Sequence, residues 1–83
     1  MGVKLKTLGD EDVVAIFERF GFVVIGVTGL HVKLRRVRPY AMETLIVPLH
    51  AAIPKGTLKA IFNQGVRYIP STDLHPHFYS SDK

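Results

Sequence analysis

The stretch TGLHVKLRR, residues 28–36, places a histidine directly after a glycine turn and at the head of a basic run. Imidazole titrates near neutrality and can take or give a proton, while lysine and arginine side chains neutralise phosphate. Lys33, Arg35, Arg36 and Arg38 all fall close behind His31. That combination fits acid–base chemistry on a polyanion. Strand alternation sharpens it. In an extended segment, His31, Lys33 and Arg35 project to one side and Val32 and Leu34 to the other. The polar triplet then spans about 13 Å, at the rise of a strand, and Gly29 lets the chain turn tightly just before it. The competing reading is a solvated strand face kept charged to prevent edge-to-edge association.

Other constellations carry less. Asp10, Glu11 and Asp12 crowd one helix start and the remaining carboxylates are scattered, so no cluster suits Mg²⁺ and no two-metal nuclease is indicated. The segment HPH at 75–77, with His50, lacks a matched zinc spacing, and no metal or other cofactor is expected. Ser71, Ser80 and Ser81 have no nucleophile-elbow context. PKGTLK at 54–59 lacks the glycine spacing of a P-loop, yet a helix start with Lys55 could hold one phosphate. The alternative for that segment is an ordinary helix start.

Five elements must position these residues. Val13, Ile16, Phe17 and Phe20 recur at helical spacing, with acidic residues in the first turn and Gly21 at the C-terminal end. FVVIGV at 22–27 is β-branched and aromatic and predicts a strand; TGL is a tight connection; HVKLRRV is a second strand. RPYAME at 38–43 predicts a turn or wider loop around Pro39, and TLIVPLH at 44–50 a third strand. PKGTLKAIFNQG at 54–65 predicts a helix opened by Pro54 and closed by Gly65, with Leu58, Ile61 and Phe62 as its apolar face. The fold class is therefore α+β, an α-β-β-β-α order with a three-stranded antiparallel meander and both helices on one face. In the tail, Tyr68, Ile69, Leu74 and Phe78 can dock on the core, while Pro70 and Pro76 argue against a long helix.

The chain has 83 residues, enough for one domain with one core. There is no cysteine, which excludes a disulfide framework and a thiolate metal site and favours a cytoplasmic protein. No apolar run reaches the ~18 residues of a membrane span, and no membrane partner is expected. The formal charge of +4, concentrated in the basic run, favours an anionic partner.

The opening helix ending ERFGF, the hairpin bearing GLH at 29–31, VPLH at 47–50 and PKGTLKAIFNQG at 54–65 together resemble the HicA (YcfA-like) family. These are small toxins of bacterial and archaeal toxin–antitoxin pairs. The resemblance covers residues 10–65 as a family-like core of a single domain spanning 1–83, and leaves 66–83 as a C-terminal extension. It implies a double-stranded-RNA-binding-domain-like fold. It also implies the toxin of a type II pair: an endoribonuclease (mRNA interferase) that cuts mRNA without a metal and is silenced by a HicB-like antitoxin. The family's catalytic histidine follows the hairpin glycine, which is His31 here. Lys33, Arg35, Arg36, Lys55 and Gly29 are then the expected RNA-binding positions, with His50 a candidate second acid–base group. The chain departs from the family pattern at Leu30, where a small residue, often serine, is common. Two other classes share these features: a non-catalytic RNA-binding module of the same fold, and a basic protein-interaction domain.

Overall fold

The computed structural model describes residues 2–82. The element order is β1 (Gly2–Leu5), α1 (Asp10–Arg19), β2 (Val23–Thr28), β3 (His31–Arg38), β4 (Ala41–Pro48), α2 (Lys55–Gly65), α3 (Ser71–Phe78) and β5 (Tyr79–Asp82). The expected meander is present as an antiparallel sheet in the order β2-β3-β4, and β1 pairs with β5 in a separate two-stranded sheet.

One face of the meander carries the core. Val32 and Leu34 of β3 and Leu45 and Val47 of β4 are buried, and they meet Val13, Ile16 and Phe17 of α1 with Leu58 and Ile61 of α2. The spacing of those helical residues is one apolar stripe, so each helix hides a single side. Among the described residues, no helix lies on the other face of the sheet.

α1 starts at Gly9, whose backbone N–H donates to Asp12 Oδ2 at 2.8 Å, while the Asp10 N–H donates to the His50 carbonyl at 2.9 Å. Glycine at 9 is required by space: a Cβ there would lie 2.2 Å from the Ala51 carbonyl oxygen. Three acidic residues in the first turn suit the positive end of the helix dipole. α2 and α3 both open directly after a proline, Pro54 and Pro70, whose carbonyls accept from Leu58 and Leu74. A proline there loses no helical donor and brings a suitable φ.

One sequence expectation is corrected, and β1, α3 and β5 are added to the expected order. Of the turn or wider loop expected over 38–43, the turn forms: Arg38 pairs with Ala41 and Val37 with Met42, leaving only Pro39 and Tyr40 in it, and β4 begins at Ala41 instead of Thr44. The tail forms one short helix, α3, with Pro76 inside it, in keeping with its two prolines. Its Ile69, Leu74 and Phe78 are buried, and Phe78 packs 6.0 Å from Phe17 and 5.5 Å from Phe62, ring centre to ring centre. The segment before α1, to which no element was assigned, supplies β1 as the partner of β5.

Candidate functional site: a basic column on the uncovered sheet face

The hairpin between β2 and β3 sets the position of His31. Thr28 pairs with His31, so Gly29 and Leu30 form a two-residue loop, with Gly29 at a φ of 59°. A positive φ at the first central position is the glycine-requiring geometry of a type II′ turn. A side chain at 29 would strain it, and that strain would move the histidine next to it.

Register then builds the surface row by row. Residues directly opposed across the ladder point to the same side. His31 is flanked by Thr28 and Pro48, Lys33 by Gly26 and Ile46, and Arg35 by Val23 and Thr44. His31 and Lys33 are exposed, and Arg35 is half-buried. The result is a column of imidazole, ammonium and guanidinium down the middle strand, bordered by the exposed apolar side chains Val23, Ile46, Val37 and Met42. Cationic and apolar side chains lie side by side on this face. Arg35 Nε is enclosed yet has no hydrogen-bond acceptor among the described residues. A buried donor without a partner costs stability unless a ligand supplies one.

Two expected members are placed elsewhere. Arg36 faces the helices: its Nε donates to Glu43 Oε1 at 2.6 Å, and its two terminal nitrogens donate to the carbonyls of Phe20 and Tyr68 at 2.7 and 2.9 Å. Its guanidinium also lies 4.7 Å over the Phe22 ring. The reason is parity, because Arg36 shares the side of Val32 and Leu34, and the fork geometry of the guanidinium satisfies that position. Lys55 does not project toward an anion site at the start of α2. Its Nζ donates to the carbonyls of Leu5 and Lys6 at 3.0 and 2.9 Å and to Thr7 Oγ1 at 3.2 Å, tying down the segment that leaves β1.

His50 is exposed and stands two residues beyond Pro48, the register partner of His31. Leu49 donates its N–H to the Leu30 carbonyl at 2.7 Å, so this segment runs beside the β2–β3 turn, and His50 belongs to the same end of the sheet as His31. The histidines of the tail are occupied in packing. His75 stacks on Tyr79 at 4.3 Å, and His77 meets the Phe20 ring edge-on at 5.5 Å. Among the described residues no three metal-capable side chains converge.

Thr28 belongs to this surface, and Tyr40 stands in the turn at the opposite end of β3 from His31. Thr28 places a hydroxyl-bearing side chain opposite His31, and the two-residue TGLH loop is the signal that fixes it there. Tyr40 is fully exposed at the β3–β4 turn beside Arg38, an aromatic ring available for stacking on an unpaired base.

No helix among the described residues is long and apolar enough to cross a membrane. A search of curated proteins and a search of solved structures each returned no match. The family model for the HicA toxin of bacterial toxin–antitoxin systems matches residues 11–66, which run from the first turn of α1 through the whole histidine-bearing meander to the end of α2. The chain belongs to the HicA toxin family.

Proposed function

We propose that this toxin is a metal-independent endoribonuclease that cleaves mRNA in the cytoplasm, with His31 as its proton-transfer residue. The observation that carries the reading is the column of His31, Lys33 and Arg35 on a sheet face that no helix covers. RNA supplies its own nucleophile. The 2′-OH loses its proton to a base and attacks the adjacent phosphorus, the bond to the 5′-oxygen breaks, and that oxygen takes a proton as it leaves. A 2′,3′-cyclic phosphate and a 5′-hydroxyl end result. An imidazole can perform either proton transfer near neutral pH. Lys33 and Arg35 stabilise the charge that builds on the phosphorane, and the unpartnered Arg35 Nε gives a phosphate oxygen a ready donor. His50, at the same end of the sheet, is the residue we assign to the second proton transfer.

The family implies a cognate antitoxin. We assign that partner an acidic surface that covers His31 and pairs with Lys33 and Arg35, which suits both the charge and the openness of this face. Lys55, held by backbone carbonyls, is not part of that interface.

The test is cleavage of RNA by purified wild type and His31→Ala, with chelator present throughout. The catalytic reading requires a loss of about 10²–10⁴-fold, the usual range for general acid–base catalysis, with folding and RNA affinity retained. Undiminished cleavage by His31→Ala would replace it with the binding-module reading.

A further inference from the structure

The bulge in β2 decides what stands beside His31. Val23 opposes Arg35 and Val24 opposes Leu34, and the register then shifts, leaving Ile25 without a partner on β3. Gly26 consequently opposes Lys33, and Thr28 opposes His31. Had the register run on unbroken, Ile25 would stand beside Lys33 and Val27 beside His31. The extra residue thus exchanges two bulky apolar side chains for a glycine and a threonine on the open face. Bulges beside active sites re-aim side chains in this way.

These two rungs make a box, about 4.8 Å between the strands and about 6.6 Å along them. Three corners carry an imidazole, an ammonium and a hydroxyl, and the fourth, Gly26, is bare. All four residues are exposed. Around the position a Cβ of Gly26 would take, no atom beyond its chain neighbours lies within 4 Å. Its φ is not positive, so the backbone there would accept a side chain. Among the described residues, the side chains of Thr28, His31 and Lys33 make no hydrogen bond or ion pair. Three polar groups therefore surround one open corner.

The other flank of the column is unlike this one. On β4, His31 faces Pro48 and Lys33 faces Ile46, neither of which offers a side-chain hydrogen-bonding group. One row further along, Val23 and Arg35 close the end of the box. We infer that the scissile phosphate sits on the β2 flank of the column, over Gly26, and that the Thr28 hydroxyl donates to one of its non-bridging oxygens. The inference rests on the proton-transfer role given above to His31. It adds where the phosphate lies and a further residue that touches it.

Each corner then has a task. Lys33 neutralises the phosphate, and His31 stands at the reacting oxygens. A hydroxyl bonded to a phosphate oxygen is charge-assisted and short, and it gains as charge builds on that oxygen in the transition state. Gly26 lets the phosphate settle between β2 and the column, where a branched side chain would lift it away. Threonine and valine suit a strand about equally by shape, so at position 28 the hydroxyl alone distinguishes them.

Cleavage kinetics of the full chain on a synthetic RNA that the wild type cuts test this, with His31→Ala run alongside. Thr28→Val should lower kcat/KM roughly ten- to a hundredfold, the worth of one hydrogen bond to a charged group, while Thr28→Ser stays within a few-fold of wild type. Gly26→Val should lose at least as much, with Gly26→Ala between, and both should melt no lower than wild type because the space is open. Gly26→Val should also weaken binding of the same RNA made uncleavable by a 2′-deoxy sugar at the cut. Should Gly26→Val fail to fold, the Thr28 pair decides. Wild-type cleavage by Thr28→Val and Gly26→Val, with His31→Ala inactive, overturns this phosphate position and leaves His31 in its role. Equal losses in Thr28→Val and Thr28→Ser overturn the hydroxyl contact. Undiminished cleavage by His31→Ala overturns both readings together.

Discussion

Arg36 Nε lies 2.6 Å from Glu43 Oε1, an ion pair between directly opposed residues of β3 and β4 with both side chains mostly shielded from water. Its other nitrogens hold carbonyls at the end of α1 and after α2, so one side chain joins four segments. Arg36→Ala leaves a carboxylate and two carbonyls without this donor and should cost about 2–3 kcal/mol, below the figure for a fully buried pair because some solvent reaches it. Arg36→Lys should recover little, since an ammonium cannot span the same fork. Denaturant unfolding of both variants, with Glu43→Gln completing a double-mutant cycle, checks the coupling.

The same geometry separates the cations proposed to bind RNA from cations that hold the fold. Lys33→Ala with Arg35→Ala should reduce the salt slope of RNA binding by roughly two phosphate contacts. Lys55→Ala should leave the slope unchanged, because its ammonium is bonded to the backbone of residues 5–7. Affinity measured across a salt series distinguishes the two sets.

Tyr40, fully exposed at the β3–β4 turn, should contribute through stacking. Tyr40→Ala should weaken binding of single-stranded RNA by about 1–3 kcal/mol with no change in salt slope, while Tyr40→Phe keeps most of the affinity. A slope that falls with the affinity would mean the ring acts by placing Arg38 instead.

Two glycines should respond in opposite directions to the same change. Gly9→Ala drives a methyl into the Ala51 carbonyl and should destabilise by more than about 2 kcal/mol, as strain against backbone does. Gly56, in the first turn of α2, has open space around it, and Gly56→Ala should stabilise by about 0.4–1 kcal/mol through the unfolded chain. Thermal unfolding of the pair checks the sign of each.

What the sequence disclosed follows from how local each signal was. The position of His31 was legible because a glycine turn and strand parity are both short-range, and Thr28 was legible in the same four residues. Arg36 was grouped with the RNA-binding cations because it lies in the same basic run, although strand parity sets it on the side of Val32 and Leu34. Its acceptors, Glu43 across the β3–β4 turn and the carbonyls of Phe20 and Tyr68, lie too far along the chain for local spacing to reveal them. Lys55 was misread for a longer-range reason: its acceptors lie near residue 5, and nothing near residue 55 announces them. The pairing of β1 with β5 was equally hidden, since strand partners far apart in sequence leave no periodic trace.

That last pairing also sets an order of assembly. Thr28 and His31 meet across two residues, whereas Val3 must find Ser81 and Leu5 must find Tyr79. Contacts so distant along the chain carry a large loop-closure cost and form late, after the hairpins and the helices that lie on them. The meander, with its histidine face, should therefore form before the small sheet closes. On the return journey the small sheet opens first: amides of Val3–Leu5 should exchange with solvent well ahead of those of Val32 and Leu34, leaving the basic column assembled while the periphery breathes.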